Sequence, residues 1–263
     1  MTVSHKLLSD SGGTRTSANS ELAVFGRGEE LAQLRKRIAA RRSFLFHGPA
    51  GVGKTMLLRL VVPEFTDILY SPENPTPQAL HRHLAELLLE LEHPVFANAC
   101  PGGVASLQAK TAVAVKGLVR DALCNSKYLV VVDHLVRPSQ ALAAAIRELM
   151  LDWSVPVVAV SRSAHMEDAG FVLPLFPERA EKVALRNFDP ELAFCFAAGR
   201  AEGEGVAAEN LNQFLNKVVE YSAGNPGAIL RLIQMAKAPK YSHENQIKIT
   251  PLYIDYKIAM VSQ

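Results

Sequence analysis

The chain has 263 residues, 49% of them hydrophobic, which is enough for one large α/β domain with or without a small helical one. A formal net charge of +2 excludes a surface that is basic throughout, although it leaves a local basic patch open. No apolar run reaches membrane-spanning length and no N-terminal signal-peptide core occurs, so we expect no membrane segment.

Residues 1–20 are rich in Ser, Thr and Gly and lack periodicity, which predicts a flexible N-terminal tail. The segment Phe25-Gly26-Arg27 follows, and apolar residues at helical spacing then predict a helix: Leu31, Leu34 and Ile38. The other face of this helix and the residues after it are cationic, with Arg35, Lys36, Arg37, Arg41 and Arg42. We interpret this face mainly as solvated, with a phosphate-facing basic patch as the alternative.

The strongest motif of the chain lies between a short buried strand predicted at residues 43–47 and a helix predicted at 55–62. Its sequence, Gly48-Pro49-Ala50-Gly51-Val52-Gly53-Lys54-Thr55, matches the phosphate-binding pattern G-x-x-x-x-G-K-[ST]. Glycines let backbone N–H groups curl around phosphate oxygens, and the helix N-terminus adds partial positive charge. Lys54 should reach the β- and γ-phosphates, and the Thr55 hydroxyl should ligate Mg²⁺. We expect these residues, together with Met56, to contact a nucleotide.

A second signature ends in an acid. After a predicted strand at 67–70, a helix at 78–91, a loop at 93–106 and a helix at 107–124, the chain reads Tyr128-Leu129-Val130-Val131-Val132-Asp133. A continuous aliphatic run of this kind is typical of a central parallel strand that is buried on both faces. Ligands of open α/β sheets bind at the C-terminal ends of strands. Asp133 should therefore lie beside the phosphate loop and share the Mg²⁺ with Thr55.

The rest of the sheet is predicted from residues 138–185. A helix over 138–153 leads to a buried strand at 155–160, which ends in Ser161-Arg162-Ser163. Arg162 should therefore lie one strand away from Asp133 and within reach of a γ-phosphate. A last short strand is predicted at 183–185. The regular alternation of strands and helices predicts βαβ units and a parallel sheet.

From Asp189 onward the pattern is helical only, with helices predicted at 191–201, 207–221 and 227–237. Gly224 ends the second of these helices and Pro226 begins the third. Residues 238–263 alternate weakly at Ile247 and Ile249 and are predicted as a small hairpin or an interaction tail. The expected organisation is a nucleotide-binding α/β domain at 21–188, a helical lid at 189–237 and a C-terminal tail at 238–263.

The cysteines bear on the cellular compartment. The three residues, Cys100, Cys124 and Cys195, lie far apart and form no C-x-x-C motif. Such usage predicts free thiols that serve core packing in a reducing environment. We therefore expect a cytoplasmic protein.

With these residues identified, the chain resembles the AAA+ and STAND group of P-loop ATPases over about residues 22–237. It looks most similar to compact STAND-type ATPases and to the related ATPases of origin-recognition and transposition systems. The resemblance implies an ASCE-type P-loop NTPase fold, in which helices flank a five-stranded parallel sheet and a small C-terminal helical lid domain follows. It also implies ATP or ADP and Mg²⁺ as cofactors.

The motifs of that group fall on particular residues of this sequence. Phe25-Gly26-Arg27 resembles the hGR box, whose backbone lies along adenine, and residues 48–55 match Walker A. Asp133 matches the Walker B acid that binds magnesium, and Arg162 is similar to the sensor-1 position. Gly224-Asn225-Pro226 is similar to the GxP motif, whose proline packs on the base. Arg231, in the following helix, is similar to a sensor-2 arginine.

The sequence departs from that group in two ways. The group usually carries a second acid after the Walker B aspartate, which polarises the attacking water, and this chain has His134 there. The resemblance therefore implies nucleotide binding with slow hydrolysis and with His134 at the catalytic position. STAND proteins commonly continue into a winged helix and repeat arrays, which this sequence lacks. We therefore expect a partner protein, or further copies of this chain, to act as sensor or effector.

Three functions remain open at this stage. The first is an ATPase switch or assembly subunit whose nucleotide state controls oligomerisation or partner binding. The second is a DNA-associated loader or transposition-type regulator, which the cations of the first helix and of the C-terminal segment favour: Lys237, Lys240, Lys248 and Lys257. The third is a nucleotide-bound scaffold without turnover, which His134 favours. Phosphoryl transfer to a small molecule is weaker, because no arginine cluster follows Val160.

Overall fold

The computed structural model of the chain describes residues 25–73 and 75–261. The predicted flexible tail at residues 1–20 lies outside this part of the chain. No helix in the described part combines the length and the apolarity needed to cross a membrane.

A five-stranded sheet forms the centre of the molecule, with the strand order β2-β3-β4-β1-β5 and every neighbouring pair parallel. The strands are β1 Phe44–His47, β2 Ile68–Ser71, β3 Leu129–Leu135, β4 Val157–Ser161 and β5 Lys182–Ala184. The order puts β4 between β1 and β3, so the chain segments that follow these three strands meet at one edge of the sheet. The predicted five-stranded parallel sheet is confirmed.

Helices cover both faces of this sheet. They are α1 Gly28–Ala39, α2 Lys54–Val61, α3 Pro77–Glu90, α4 Pro94–Ala99, α5 Gly103–Gln108, α6 Ala112–Leu123, α7 Gln140–Arg147 and α8 Met166–Ala169. Short helical turns occur at Val62–Glu64, Glu148–Asp152, Gly170–Leu175 and Arg179–Glu181. Successive strand residues point to opposite faces, so Leu45 joins one hydrophobic cluster with α3, α6 and α7, while Phe44 and Phe46 join another with α1 and α2.

The segment predicted as a loop at 93–106 instead contains the short helices α4 and α5. Each of these helices buries one apolar side chain, Phe96 in α4 and Leu107 in α5. Neither helix is long enough to show helical periodicity in the sequence. The helix predicted from residue 107 begins at Ala112, because the Thr111 side chain accepts a hydrogen bond from the Ala114 N–H and caps it.

The C-terminal part is a separate helical layer with its own hydrophobic cluster. It contains α9 Pro190–Gly203, α10 Leu211–Ser222 and α11 Pro226–Ala236, then a turn at Pro239–Tyr241, the hairpin β6 Ser242–His243 with β7 Gln246–Ile247, and α12 Ile249–Val261. The sequence did not predict α12. This helix buries Leu252 and Tyr256 in the same cluster as α9, α10 and α11, and its Tyr253 ring stacks on Tyr221 at 3.7 Å. The segment predicted as a hairpin or tail thus packs into the lid.

Candidate functional site

The predicted phosphate loop connects β1 to α2 and is closely packed on one side. A Cβ on Gly48 would lie 2.2 Å from the Leu185 carbonyl oxygen, so the first position of the loop admits only glycine. Gly51 has a φ of +78°, and a Cβ there would lie 2.8 Å from Asn225 Oδ1. The loop delivers the first turn of α2, whose leading N–H groups have no partner within the helix, to the carboxyl edge of the sheet. This geometry suits an anion.

Lys54, the first residue of α2, turns its side chain back over the loop. Its Nζ donates hydrogen bonds to the Gly48 carbonyl oxygen at 2.6 Å and to the Pro49 carbonyl oxygen at 3.0 Å. Burial lowers the pKa of Lys54, Arg162 lowers it further, and Asp133 opposes the shift. A bound phosphate would supply the negative charge that this buried ammonium lacks.

Asp133 lies near the end of β3, where the register with β4 shifts between Val132 and Leu135. Its side chain is almost fully buried, and three groups donate to it. Thr55 Oγ1 donates to Oδ2 at 2.9 Å, Tyr70 Oη donates to the same oxygen at 2.7 Å, and the His134 N–H donates to Oδ1 at 2.7 Å. Burial and the bond to Asp133 raise the pKa of Tyr70, so the phenol remains a neutral donor.

The oxygens of Thr55 and Asp133 fit the ligand chemistry of Mg²⁺, a hard cation that prefers oxygen. The described residues contain no group of three or more His, Cys, Asp or Glu side chains able to hold a metal by themselves. A single carboxylate with one hydroxyl is the arrangement in which substrate phosphates and water complete the coordination of Mg²⁺.

His134 follows Asp133 in the left-handed region, with a φ of +56°. This backbone turns its side chain away from the sheet, where it is 56% exposed and borders the cavity described below. The ring Nδ1 lies 2.9 Å from the Pro72 carbonyl oxygen. Because a carbonyl oxygen only accepts, this contact requires the proton on Nδ1 and leaves Nε2 of the neutral ring as the acceptor.

A cavity of about 780 Å³ joins the phosphate loop to the helical layer. At one end it is bordered by Lys54, Thr55, Asp133, His134 and the exposed Arg162, which follows β4. At the other end its walls are mainly apolar and aromatic: Phe25, Phe188, Phe196, Pro226 and Leu230. Met56, Ala50, Gly51, Val52 and Gly53 also line it. A polar end and a flat apolar end suit the two halves of a nucleotide.

Arg27 ties the segment before α1 to both layers. Its buried guanidinium donates to the Arg186 carbonyl oxygen at 2.7 Å, pairs with Glu30 at 2.8 Å and lies 4.3 Å from the centre of the Phe188 ring. The neighbouring Gly26 has a φ of +65°, and a Cβ there would meet the Leu192 side chain of α9 at 2.5 Å. The segment predicted to lie along adenine therefore borders the apolar end of the cavity.

The N-terminus of α11 docks directly on the phosphate loop. The Asn225 side chain donates to the Ala50 carbonyl oxygen at 2.9 Å and to Asn187 Oδ1 at 3.1 Å, and its Oδ1 accepts from the Ala228 N–H at 3.1 Å. The Gly227 N–H donates to the Gly51 carbonyl oxygen at 2.9 Å. Pro226 lies between Asn225 and Gly227 in the chain, so these contacts fix its position at the cavity wall.

Arg231 does not reach the cavity, which corrects its expected sensor-2 position. Its guanidinium faces α12, with Nη1 3.5 Å from Met260 Sδ and its centre 6.0 Å from the Tyr256 ring. The arginine of the helical layer that borders the cavity is Arg200, on α9. Three of these positions were not predicted from the sequence: Arg200 at the cavity, Tyr70 as a partner of Asp133, and Asn225 as a partner of the loop. Asn225 had a signal, because Asn before Pro is a common helix N-cap.

Comparison with known proteins identifies the fold. No family model and no curated protein matches the sequence. A Walker-type ATPase of Pyrococcus abyssi has a similar structure, with a TM-score of 0.63 and 14% identity over 90% of this chain and 73% of that one. The ORC1 protein of Aeropyrum pernix, in complex with DNA, gives a TM-score of 0.59 and 16% identity over 89% of this chain and 65% of its own.

At these identities the likeness concerns the fold, and the present chain spans slightly less than two thirds of the ORC1 protein. The feature that matches these structures is the parallel sheet with its flanking helices. The resemblance drawn from the motifs is therefore confirmed at this level: the chain has the fold of the AAA+ P-loop ATPases.

Proposed function

We propose that the protein is an ATP-binding switch or assembly ATPase of the STAND type, whose nucleotide state controls oligomerisation or partner binding. The observation that carries this proposal is a cavity that is bordered by the phosphate loop on one side and by Pro226 and Gly227 of the helical layer on the other. A nucleotide in this cavity touches both layers, so its state can bias how they pack.

In this proposal each polar residue of the site has one task. Lys54 and the N-terminus of α2 bind the β- and γ-phosphates, and Thr55 and Asp133 hold Mg²⁺. A Mg²⁺ ion held by these two residues would supply positive charge beside the phosphate oxygens. Arg162 contacts the γ-phosphate and distinguishes ATP from ADP. His134 stands in the position of the missing acid, so intrinsic hydrolysis is slow.

We extend the proposal to the cellular compartment and to the domain division of the protein. The cysteines of the described part are free thiols, which fits the cytoplasm. The division into a nucleotide-binding domain that ends near residue 188 and a lid beyond it follows the separate hydrophobic clusters of the two layers. The angle between the two layers determines whether another copy of this chain or a partner protein binds.

Calorimetry of Lys54→Ala tests nucleotide binding. Removing the ammonium loses a charge-assisted contact of ~1.5–3 kcal/mol, so affinity for ATP with Mg²⁺ should fall at least about ten-fold. Lys127→Ala, at an exposed position away from the cavity, is the matched control and should bind as wild type does. An unchanged ATP affinity in Lys54→Ala, with the circular dichroism spectrum intact, would refute the phosphate site.

Light scattering after size exclusion tests the switch itself. The protein is measured without nucleotide, with ADP and with a non-hydrolysable ATP analogue. We expect the analogue alone to raise the molar mass or to permit partner capture. If the purified protein instead retains unhydrolysed ATP and its mass never changes, the scaffold without turnover becomes the better description.

DNA association is a second candidate, and the likeness to ORC1 in complex with DNA favours it. Against it, several cations of α1 and the loop after it are engaged within the molecule. Arg35 Nη2 pairs with Glu64 at 2.6 Å, Arg41 pairs with Asp67, and Arg37 Nη1 donates to the Ala180 carbonyl oxygen at 2.7 Å. Lys36 and Arg42 remain as exposed cations on this side.

Fluorescence anisotropy with a DNA duplex, at rising salt and with or without the ATP analogue, tests this candidate. Binding through phosphates should weaken steeply with salt, and Lys36→Glu with Arg42→Glu should reduce the slope. If the protein binds no DNA at low salt in any nucleotide state, DNA association is refuted and the switch function remains.

A further inference from the structure

We propose that Arg200 recognises the nucleoside half of the nucleotide by donating a hydrogen bond to an acceptor atom of the base. The ligand class is a purine nucleoside di- or triphosphate. The inference rests on the proposed nucleotide site and adds to it a specificity-determining residue on the lid.

The side chain of Arg200, on α9, lines the cavity. Its Nε is buried without a hydrogen-bond partner and does not face the open space, so the donors that a ligand in the cavity can meet are the terminal nitrogens Nη1 and Nη2. A charged donor that leaves water without gaining an acceptor costs free energy, and an acceptor on the ligand removes that cost.

The position of Arg200 along α9 assigns it to the apolar end of the cavity. Phe196 lies one helical turn earlier on the same face, and residues four apart on a helix are neighbours. The Phe196 ring packs 5.8 Å from Phe25 and 5.3 Å from Phe188. Pro226 and Leu230 of α11 border the same cavity. Flat apolar walls of this kind suit a base, and Arg200 stands next to them.

The other cations around the cavity have tasks elsewhere. Lys54 bonds to the carbonyl oxygens of the phosphate loop, and Arg162 follows β4 at the polar end. Arg27 is engaged by Glu30, the Arg186 carbonyl oxygen and the Phe188 ring. Arg200 is therefore the cation that can serve the base.

The guanidinium of Arg200 can bond only to hydrogen-bond acceptors of the base. It donates and never accepts, so it favours ring nitrogens and carbonyl oxygens and disfavours amino groups. Guanine offers two adjacent acceptors, O6 and N7, whereas adenine offers N7 beside an amino group. We therefore expect this site to accept GTP as well as ATP, and Arg200 to matter more for GTP.

The experiment measures affinities of Arg200→Gln by calorimetry with Mg²⁺ for ATP, ADP, GTP and inorganic triphosphate. Affinity for ATP and ADP should fall by the same factor, about ten-fold, because both share the base, and GTP should lose more. Inorganic triphosphate should bind as it does to wild type. Arg200→Lys keeps the charge but loses the planar fork of donors, so its affinities for ATP, ADP and GTP should lie between those of wild type and those of Arg200→Gln. The matched control is Arg147→Gln, an exposed arginine outside the cavity.

The outcomes separate this inference from the proposed function. Wild-type affinity for every nucleotide in Arg200→Gln would overturn the role of Arg200 and leave the nucleotide site standing. A loss confined to ATP and GTP, or an equal loss for inorganic triphosphate, would make Arg200 a phosphate contact and would also overturn the inference. Absence of nucleotide binding by the wild-type protein would overturn the proposed function and the inference together.

Discussion

At the scale of single residues, Asp133 and His134 carry the proposed slow hydrolysis. Asp133 is enclosed by donors from Thr55, Tyr70 and the next backbone N–H, so its orientation is set before any metal binds. His134 adopts a left-handed backbone and holds its Nδ1 proton against the Pro72 carbonyl oxygen. The residue that follows the proposed metal-binding acid is thus an imidazole at the cavity wall, without the negative charge of a carboxylate.

We expect His134→Glu to raise the basal rate of ATP hydrolysis without much change in ATP affinity. A carboxylate at this position can orient and deprotonate the attacking water beside the cationic phosphate site. The measurement is phosphate release from isolated protein, with Lys54→Ala as the blank.

His134→Asn is the matched control for this variant, because Asn tolerates the left-handed backbone and carries no charge. Wild-type turnover should lie below ~1 s⁻¹, the lower range of enzymes. Brisk wild-type turnover that His134→Glu leaves unchanged would mean that the catalytic group lies elsewhere.

Arg162 should report the γ-phosphate, since it follows β4 beside the loop and its charge acts on Lys54. In Arg162→Ala we expect ATP affinity to fall about ten-fold while ADP affinity stays near wild type, because only ATP carries the third phosphate. Calorimetry with both nucleotides measures this difference. Equal losses for ATP and ADP would remove Arg162 from this role.

At the scale of elements, the contact between the phosphate loop and α11 couples the two layers. Its hydrogen bonds use carbonyl oxygens of the loop, at Ala50 and Gly51, and none of the loop N–H groups. Gly227 is required there, because a Cβ would lie 2.9 Å from the Gly51 Cα. We therefore expect a change in the loop on nucleotide binding to act directly on the C-terminal helical layer.

Asn225 allows this coupling to be separated from helix capping. Asn225→Ser keeps an N-cap acceptor but loses the amide that donates to Ala50. We expect the free energy of unfolding to fall by ~0.5–1.5 kcal/mol, the contribution of a neutral hydrogen bond. ATP and ADP affinities should fall several-fold, because the contact that holds Pro226 beside the loop is weakened.

Asn225→Ala loses the cap as well and should unfold with ~1 kcal/mol less free energy than Asn225→Ser. Urea denaturation and calorimetry on both variants measure the two effects. Wild-type nucleotide affinity in Asn225→Ser would contradict coupling through this contact.

At the scale of the whole molecule, the protein has hydrophobic clusters on both faces of the sheet and another in the lid. Helix α12 belongs to the lid cluster, where Leu252 is 1% exposed. We expect Leu252→Ala to lower the free energy of unfolding by about 2–4 kcal/mol, as for other buried leucines. Ile254→Ala, at a site 51% exposed on the same helix, should change it by no more than about 0.5 kcal/mol.

Urea denaturation of the full chain measures both α12 variants. Similar small effects in the two would mean that α12 adds nothing to the lid core. A large effect of Leu252→Ala, accompanied by weaker nucleotide binding, would mean that the lid core supports the cavity.

The sequence by itself determined the features that are local in the chain. The loop from Gly48 to Thr55 is a strand, a turn and a helix in succession, so its glycines and Lys54 were recognisable without distant residues. The aliphatic run before Asp133 and the alternation of strands and helices predicted the parallel sheet, because burial on both faces demands such a run.

Only the tertiary structure decided the contacts that join distant segments. Asn225 and the loop residue Ala50 are separated by 175 positions, and Tyr70 and Asp133 by 63. No periodicity reports such pairs, because they depend on strand order and on how the lid docks. The same reason separates Arg200 from Arg231: both lie on lid helices, and only packing decides which side chain faces the cavity and which faces α12. Helix α12 was not predicted, because the alternation at Ile247 and Ile249 and the early Pro251 hide the helical spacing of Leu252 and Tyr256. These two side chains are recognisable as core residues only when the hydrophobic cluster that buries them is known.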